Sequence, residues 1–185
     1  MALTYSDMIP LGSLAPSFSL KGIDGKNCNL ENFKNKKALV VLFICNHCPY
    51  VQATQDRIAA LAKEFTKKEV QFVGINSNDL EQYPEDDLAH MKEQAQNVGF
   101  IFPYLLDETQ EVAKAYGAIC TPDTFVFDSQ LKLQYRGRID DNWKDPQKVT
   151  RQDLKDALHA ILNGTAVTKD QRPSMGCSIK WKKNY

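Results

Sequence analysis

The chain has 185 residues, of which 43% are hydrophobic, so a single domain can bury a core without disulfide bridges. Its 23 basic and 23 acidic residues give a formal net charge of zero, which argues against nucleic acid or an anionic membrane as a partner. The chain has no apolar run of membrane-spanning length, and its first residues lack the pattern of a secretory signal. We therefore expect a cytoplasmic protein whose five cysteines are catalytic, metal-binding or inert rather than joined in structural bridges.

The first half of the chain predicts a β-hairpin followed by a β-α-β unit. Asp24-Gly25, between two short strand-like runs, is a hairpin signal. The run 38–44 has no polar alternation, which predicts a strand buried on both faces of a sheet. Apolar residues recur at helical spacing over 50–65, and a second buried strand follows over 70–76. Two such strands joined by a helix form a parallel crossover.

The second half of the chain predicts three helices and three strands. Acidic residues at 85–87 suit the first turn of a helix, because they face the positive end of the helix dipole. The predicted helices are 84–98, 107–116 and 150–162, and the predicted strands are 104–106, 124–128 and 132–136. The last two strands form a hairpin. This order predicts an α/β fold with a mixed central sheet, helices on both of its faces and an N-terminal β-hairpin.

The motif Cys45-Asn46-His47-Cys48-Pro49 stands where the strand 38–44 meets the helix that follows it. Two cysteines two residues apart indicate a dithiol that opens and closes as a disulfide. A helix N-terminus favours the thiolate, so Cys45 is predicted to be the exposed nucleophile of lower pKa. Cys48 would resolve the mixed disulfide that forms at Cys45. His47 adds positive charge that stabilises the thiolate.

Two other interpretations of the motif stay open at this point. A CxxC pair can be half of a zinc site, although the sequence offers no second CxxC or CxxH pair to complete it. The two cysteines can also be buried structural thiols. Redox chemistry remains the first hypothesis, and neither a metal nor a cofactor is predicted.

Five stretches of the chain match one family pattern. They are 43–51 (FICNHCPYV), 74–79 (GINSND), 107–123 (DETQEVAKAYGAICTPD), 135–142 (YRGRIDDN) and 173–182 (PSMGCSIKWK). With them the chain resembles a peroxiredoxin-like group, with a CxxC motif, in the redoxin superfamily of thioredoxin-like proteins. The resemblance implies a thioredoxin-like domain over residues 1–164 and a C-terminal tail, 165–185, packed on it.

The resemblance also implies roles for Thr121 and Pro122. In the thioredoxin fold the corresponding proline is cis, and the residue before it faces the dithiol. Thr121 would then present its backbone to a substrate peptide near Cys45. An X-Pro bond is cis in only about 5% of cases in folded proteins, so the resemblance alone carries this expectation.

The sequence departs from both parent families. Thioredoxins carry a buried aspartate in the strand before the dithiol, whereas 38–48 contains no carboxylate. Peroxiredoxins have a PxxxTxxC pattern; if Cys48 takes the place of its cysteine, the threonine position holds Cys45 and the proline position holds Val41. The hydroxyl that activates a hydroperoxide is therefore missing, although Arg136 or Arg138 could assist one.

Three further thiols accompany the dithiol. Cys120 directly precedes Thr121-Pro122, so it is expected near the dithiol, either as a redox thiol or as a small buried apolar residue. Cys177 lies in the tail with Trp181 and Tyr185, which could dock the tail on the domain; it is a candidate second resolving thiol. Cys28, in the predicted hairpin, is expected to be inert.

Three functions compete at this stage. The first is a thiol–disulfide oxidoreductase acting on protein or small-molecule disulfides, with a thiol as its reductant. The second is a thiol peroxidase, in which one cysteine is oxidised to a sulfenic acid and the other condenses with it. The third is a non-catalytic binding module on the same scaffold. In each case the protein would be a monomer or a homodimer.

Overall fold

A computed structural model describes residues 3–183 of the chain, so that Tyr185 of the predicted aromatic tail lies outside the described residues. Its helices are α1 (Pro49–Thr66), α2 (Leu88–Val98), α3 (Glu111–Tyr116) and α4 (Asp153–Leu162). Its strands are β1 (Leu3–Tyr5), β2 (Ser19–Gly22), β3 (Asn27–Asn29), β4 (Ala38–Phe43), β5 (Val70–Asn76), β6 (Tyr104–Leu106), β7 (Cys120–Thr121), β8 (Asp123–Asp128), β9 (Leu133–Arg136) and β10 (Met175–Ser178).

Seven of the strands form the central sheet, in the order β3-β2-β6-β5-β4-β8-β9. β4 is parallel to β5 and antiparallel to β8, so the mixed strand direction expected from the sequence is confirmed. Both predicted hairpins are also present, as β2-β3 and β8-β9. A second, three-stranded sheet of order β1-β10-β7, which the sequence did not predict, joins the two ends of the chain.

The sheet separates two hydrophobic clusters, and β4 contributes to both. Alternate residues Ala38, Val40 and Leu42 pack against α1, α2 and α4 on one face. Leu39, Val41 and Phe43 pack on the other face, where α3 lies. Every residue of β4 is buried, because side chains of a strand alternate between its faces and both faces are covered.

The start of α2 differs from its prediction. The helix 84–98 was expected to begin at Pro84, but 84–86 form a separate 3-10 helix and α2 begins at Leu88. Asp87 caps α2 by accepting a hydrogen bond from the N–H of His90. Asp86 thereby lies outside the helix and is fully buried.

The segment after α4 returns to the domain as β10, which lies between β1 and β7. Trp181, beyond this strand, packs against the cluster on the α3 face of the sheet. Within residues 3–183, none of the helices combines the length and the apolar character needed to cross a membrane.

Candidate active site

The two cysteines of the CxxC motif lie beyond the end of β4, a strand in the interior of the sheet. After β4 the chain turns so that Cys48 becomes the N-cap of α1. Pro49 takes the first helical position, where its missing N–H costs no hydrogen bond. The side chains of Cys45 and Cys48 are hydrogen-bonded to each other, and both residues are completely enclosed. None of the five cysteines, all of which lie among the described residues, forms a disulfide.

The two sulfurs differ in their acidity. The pKa of Cys48 is lowered to about 5, and the hydrogen bond from Cys45 is the largest cause. Hydrogen bonds from Cys177 and from the N–H of Val51 lower this pKa further, whereas burial raises it. Burial raises the pKa of Cys45 well above its usual range, and the hydrogen bond to Cys48 and the negative charge of Asp86 raise it further.

This order corrects the expectation that Cys45 would be the exposed and more acidic thiol. The hydrogen bond from Cys45 is the largest cause of the low pKa of Cys48, and burial is the largest cause of the high pKa of Cys45. The position of the helix start adds to the difference. α1 starts at Pro49 with Cys48 as its N-cap, and the N–H of Val51 in the first turn favours the Cys48 thiolate. The charge nearest to Cys45 is instead that of a carboxylate, which disfavours a second negative charge there.

Thr121 contacts both sulfurs from β7. Its hydroxyl oxygen lies 3.4 Å from Sγ of Cys45, and its carbonyl oxygen lies 3.1 Å from Sγ of Cys48, whose protonated form donates to it. This carbonyl opposes the Cys48 thiolate, but the N–H and thiol donors outweigh it, since the pKa is lowered overall. The peptide bond between Thr121 and Pro122 is cis, as the resemblance implies.

The backbone of Thr121 is paired with the chain's own C-terminal strand. Cys177 lies opposite Thr121 and Ser178 lies opposite Cys120 in an antiparallel ladder between β10 and β7. The resemblance implied that Thr121 would present this backbone to a substrate peptide. In the structure β10 takes that place, because the tail folds back between β1 and β7.

Of the additional thiols, Cys177 reaches the dithiol and Cys120 points elsewhere. The side chain of Cys177 is hydrogen-bonded to that of Cys48 and is 1% exposed. Sγ of Cys120 lies 3.8 Å from the carbonyl oxygen of Pro122, and burial raises its pKa. Cys28 lies in β3, within an outer hairpin of the sheet.

A buried carboxylate that the sequence did not assign to the site, Asp86, lies beside Cys45. Sγ of Cys45, a ring nitrogen of His47 and a carboxylate oxygen of Asp86 all lie within 4.8 Å of one another. Nδ1 of His47 lies 2.6 Å from Oδ2 of Asp86. The N–H of Asn46 donates to Oδ1 over 2.7 Å, and Nδ2 of Asn78 donates to Oδ2 over 2.7 Å. Asp86 thus supplies the carboxylate that the strand before the dithiol lacks.

His47 and Asp86 shift each other's pKa in opposite directions. The hydrogen bond to Asp86 raises the pKa of His47 against the effect of burial. Burial raises the pKa of Asp86, but the hydrogen bonds from His47 and Asn78 lower it overall. The His47 ring stacks on Tyr83 with a centroid distance of 5.0 Å, and its Nε2 is buried without a partner among the described residues. The pair therefore holds a proton next to Cys45.

The same three groups are the strongest candidate metal ligands in the described part of the chain. They are poorly disposed for this role, because both oxygens of Asp86 already accept hydrogen bonds. A zinc ion would need a fourth ligand and would have to displace the contact between His47 and Asp86. The group is better suited to moving a proton than to holding a metal.

The two arginines suggested for peroxide chemistry are occupied by carboxylates. Arg136 is fully buried, and its Nη2 donates to Asp123 over 3.0 Å and to the carbonyl of Gly117 over 2.7 Å. Nε of Arg138 donates to Asp153 over 2.7 Å. Neither arginine is among the groups that shift the pKa of either dithiol cysteine.

Asn78, Tyr83 and Asp86 are the site residues that the sequence reasoning missed. A signal existed for Asn78, because it lies just beyond the carboxyl end of β5, where α/β proteins place functional groups. The acidic run 85–87 gave no such signal, since a helix N-terminus explained it fully. The short 3-10 helix that turns Asp86 inward has no periodicity to detect.

Known proteins resemble this chain in sequence. The family model described as "Redoxin" matches residues 10–158. "Thiol-disulfide oxidoreductase ResA" from Bacillus thuringiensis subsp. konkukian is 25% identical over 130 residues, 70% of each chain. "Peroxiredoxin Q, chloroplastic" from Triticum aestivum is 26% identical over 151 residues, which cover 78% of this chain and 64% of that protein.

Solved structures resemble it in fold. An uncharacterized conserved protein from Geobacillus kaustophilus superposes with a TM-score of 0.94 and 50% identity, over 100% of this chain and 99% of that one. A thiol:disulfide interchange protein of the thioredoxin family, from Chlorobium tepidum TLS, superposes with a TM-score of 0.57 and 26% identity, over 71% of this chain and 87% of that one. The fold is thioredoxin-like, as the resemblance implied.

Proposed function

Because this chain belongs to the redoxin family, we propose that it is a thiol–disulfide oxidoreductase in which Cys48 is the attacking thiolate and Cys45 the resolving thiol. The chain is an oxidoreductase by family. The observation that carries the assignment of roles is the position of Cys48, which caps α1 and has a pKa lowered to about 5 beside a second, protonated thiol. At neutral pH such a group is almost entirely thiolate, which is the species that attacks a disulfide.

The reaction runs in two exchange steps. Cys48 attacks one sulfur of the substrate disulfide, so a mixed disulfide forms and the first substrate thiolate leaves. Cys45 then attacks Sγ of Cys48, which closes the Cys45–Cys48 disulfide and releases the second substrate thiolate. The substrate gains two electrons and the dithiol loses them. A thiol reductant supplied by the cell returns the protein to the dithiol form.

The second step needs a base, because burial and the Asp86 charge keep Cys45 protonated. His47 and Asp86 are the nearby groups that can take this proton. The imidazole is the member of the pair suited to neutral pH, since Asp86 raises its pKa and a base is most effective when its pKa lies near the working pH. We therefore propose that the pair prepares Cys45 for attack.

Enclosure of the sulfurs bears on the substrate. Neither Cys45 nor Cys48 is exposed, so a substrate reaches them only if it is small or if the short strands that cover the site move aside. A cavity of about 290 Å³, lined in part by Pro122, Thr54 and Met175, lies next to the covering strand. We therefore propose that small-molecule disulfides are better substrates than protein disulfides. The reducing cytoplasm is the compartment in which we place this activity.

Disulfide exchange can be tested by mass spectrometry. Fully reduced protein is incubated with oxidised glutathione, free thiols are blocked with acid and an alkylating reagent, and the tryptic peptide 38–57, which holds both cysteines, is examined for an internal disulfide. We expect this disulfide in the wild type and in Cys28→Ser. In Cys45→Ser we expect Cys48 to form a mixed disulfide, with glutathione or with another cysteine of the chain, and in Cys48→Ser we expect no internal disulfide in this peptide. No oxidation of either cysteine would refute the proposed function and favour a non-catalytic module.

Thiol peroxidase activity is a second candidate, favoured by the complete enclosure of Cys48, which admits a hydroperoxide more readily than a protein disulfide. In that reaction the Cys48 thiolate attacks one oxygen of the hydroperoxide, the O–O bond breaks, and water or an alcohol leaves as Cys48 becomes a sulfenic acid. Cys45 then condenses with the sulfenic acid to give the disulfide and water. The occupied arginines and the absent threonine argue against it. Oxidation of Cys48 by hydrogen peroxide at a higher rate than by oxidised glutathione would reverse this order of preference.

A further inference from the structure

The C-terminal strand brings a third thiol into contact with the dithiol. β10 pairs with β7 so that Cys177 lies opposite Thr121, the residue whose hydroxyl and carbonyl touch Cys45 and Cys48. Cys177 is buried in the same hydrophobic cluster as the dithiol, and its thiol is hydrogen-bonded to Sγ of Cys48. Cys48 therefore has a thiol partner on each side: Cys45 from the end of β4, and Cys177 from β10.

A glycine next to Cys177 allows this approach. A Cβ atom at Gly176 would overlap the carbonyl oxygen and carbonyl carbon of Thr121. Because only glycine lacks that atom, β10 lies closer to the backbone at Thr121-Pro122 than a side-chain-bearing residue would permit. The close approach places the following residue, Cys177, within reach of Cys48.

Resting on the function proposed above, we propose that Cys177 is a third redox thiol, which competes with Cys45 for Cys48, so that the disulfide can move from Cys45–Cys48 to Cys48–Cys177. In this step Cys177 attacks Sγ of Cys48; the Cys48–Cys177 bond forms, and the Cys45–Cys48 bond breaks. Cys177 gives up one proton, and the released Cys45 thiolate takes up one. No external oxidant or reductant is consumed, because the step is an isomerisation of one disulfide.

The charges around Cys177 determine when it can react. Burial raises the pKa of Cys177 to about 12, and the hydrogen bond to Cys48 and the negative charge of Cys48 add to the effect. The charge on Cys48 disappears when that sulfur enters a disulfide, and Lys180 favours the Cys177 thiolate. Cys177 is therefore silent in the reduced protein and becomes a nucleophile after Cys48 has been oxidised.

Cys120 is the matched control for Cys177. It is equally buried and lies one residue before Thr121, but neighbouring residues of a strand point to opposite faces. Its thiol contacts the carbonyl of Pro122 rather than the dithiol. A third disulfide that formed by chance collapse of buried thiols would include Cys120 as readily as Cys177.

The test uses the full-length Cys45→Ser protein, oxidised with oxidised glutathione at pH 8 and digested with trypsin. The digest separates the relevant thiols, because Cys48 is in peptide 38–57, Cys120 in 115–132 and Cys177 in 170–180. We expect a cross-link between 38–57 and 170–180, retained in Cys45→Ser/Cys120→Ser and absent from Cys45→Ser/Cys177→Ser. In the wild type, the internal disulfide of 38–57 should appear first and the cross-link later.

Failure of this proposal can be told apart from failure of the proposed function. If wild-type protein forms the Cys45–Cys48 disulfide but Cys45→Ser gives only a stable glutathione adduct at Cys48, the role of Cys177 is refuted and the oxidoreductase stands. A cross-link from Cys48 to Cys120 would refute it equally. If the wild type is not oxidised at all, the proposed function itself fails. Circular dichroism and thermal melting of each variant establish that it is folded before it is oxidised.

Discussion

The thiolate on Cys48 and the proton on Cys45 follow from two neighbours that lie close together in space. Cys48 caps α1, where the N–H of Val51 favours its thiolate, whereas Cys45 is buried beside the Asp86 carboxylate. A hydrogen-bond donor stabilises a negative charge and a nearby carboxylate destabilises one, so the pKa of Cys48 falls and that of Cys45 rises. Their mutual hydrogen bond increases the difference, because the protonated thiol donates to the thiolate.

We predict one thiolate in the reduced protein at neutral pH, on Cys48. The ultraviolet absorbance of the thiolate, followed against pH, should rise through an inflection near pH 5 in the wild type, because the pKa of Cys48 is lowered to about 5. The inflection should be lost in Cys48→Ser. It should move to higher pH in Cys45→Ala, since the largest stabilising hydrogen bond is removed and alanine offers no donor in its place. Cys28→Ser serves as the control, and an acidic inflection that persisted in Cys48→Ser would assign the thiolate to another cysteine.

Asp86 should govern how fast the mixed disulfide is resolved. In Asp86→Asn the His47 ring loses its carboxylate partner, so its pKa falls toward the ordinary value of 6.5. Loss of an effective base typically costs about 10²-fold or more. We therefore predict that single-turnover release of the second substrate thiol slows by about this factor, and that the inflection of its pH profile moves to lower pH.

The matched control for Asp86→Asn is Glu85→Gln, which removes a more exposed carboxylate whose oxygen lies 4.0 Å from His47. It should leave both the rate and the inflection close to those of the wild type. A structural role for Asp86 could reduce the rate but would not shift the inflection. An unshifted profile in Asp86→Asn would remove the pair from the mechanism.

The His47–Asp86 contact should also make stability depend on pH. The folded pKa of His47 is raised above 6.5, so its contribution is fully present below pH 6.5 and is lost as pH rises through the folded value. The folded pKa of Asp86 is lowered below 3.8, so its contribution is present above pH 3.8 and is lost as pH falls through the folded value. The pair contributes most between these limits.

We predict that His47→Gln loses most stability, relative to the wild type, between about pH 4 and pH 6.5. The loss should shrink above this window, by about 1.4 kcal/mol for each unit by which the fold raises the pKa of His47. Urea unfolding at several pH values measures it. His90→Gln is the control, because His90 pairs with Asp87 on the exposed surface and should have little effect.

At the scale of elements, β10 is what encloses the site. It has four residues, and it pairs with β1 on one side and with β7 on the other. Both neighbours are short, so this sheet has few backbone hydrogen bonds and is suited to local opening. The tail therefore forms part of the candidate site, and residues beyond 164 are needed to complete it.

Gly176 is the position at which β10 is most sensitive to substitution. Gly176→Ala puts a Cβ atom against the Thr121 backbone, which cannot yield as a flexible side chain can. We predict a loss of about 1–3 kcal/mol in unfolding free energy, the usual cost of overpacking, together with increased exposure of Cys48 to alkylation.

Gly25→Ala is the matched control for Gly176→Ala. A Cβ atom at Gly25 meets no other atom within 4 Å, and its cost of about 1–2 kcal/mol comes only from the positive φ of 80°. It should leave the alkylation of Cys48 unchanged. Equal protection of Cys48 in both variants would mean that β10 does not control access to the sulfurs.

At the scale of the whole molecule, the charges inside the fold are paired across elements. Asp123, at the start of β8, meets Arg136, at the end of β9, and neither side chain is exposed. The guanidinium also lies 4.4 Å from the centroid of the Phe125 ring. A buried charge is tolerated because its partner and neighbouring dipoles replace water, so removal of one partner leaves the other without compensation.

We predict that Arg136→Met destabilises the protein by about 3–5 kcal/mol, the usual effect of breaking a buried ion pair. Asp123→Asn/Arg136→Met should recover part of this loss, because no unpaired charge remains. Arg138→Met is the control; its partner is Asp153 and the arginine is 28% exposed, so its cost should be smaller. Urea unfolding measures these losses. An equal loss of unfolding free energy in Arg136→Met and Arg138→Met would show that burial of the ion pair does not determine its contribution to stability.

Much of the fold was determined by patterns local to the sequence. The apolar run 38–44, the helical periodicity of 50–65 and the Asp24-Gly25 turn each fix one element without help from distant residues, because strand and helix place side chains with periods of 2 and 3.6. The CxxC motif at the junction of such elements identified the redox dithiol. The resemblance supplied the cis bond at Pro122, which local propensity does not predict.

The tertiary structure decided which groups surround the dithiol. Asp86 is about 40 residues from Cys45 along the chain, and Cys177 about 130 residues from Cys48, so no local pattern links them. They meet because a 3-10 helix turns one carboxylate inward and because β10 returns to β7. The acidity of a thiol depends on charges and donors within a few ångströms in space, and only the fold brings these together. The sequence alone therefore determined that the site is a dithiol, and the structure decided which cysteine is acidic.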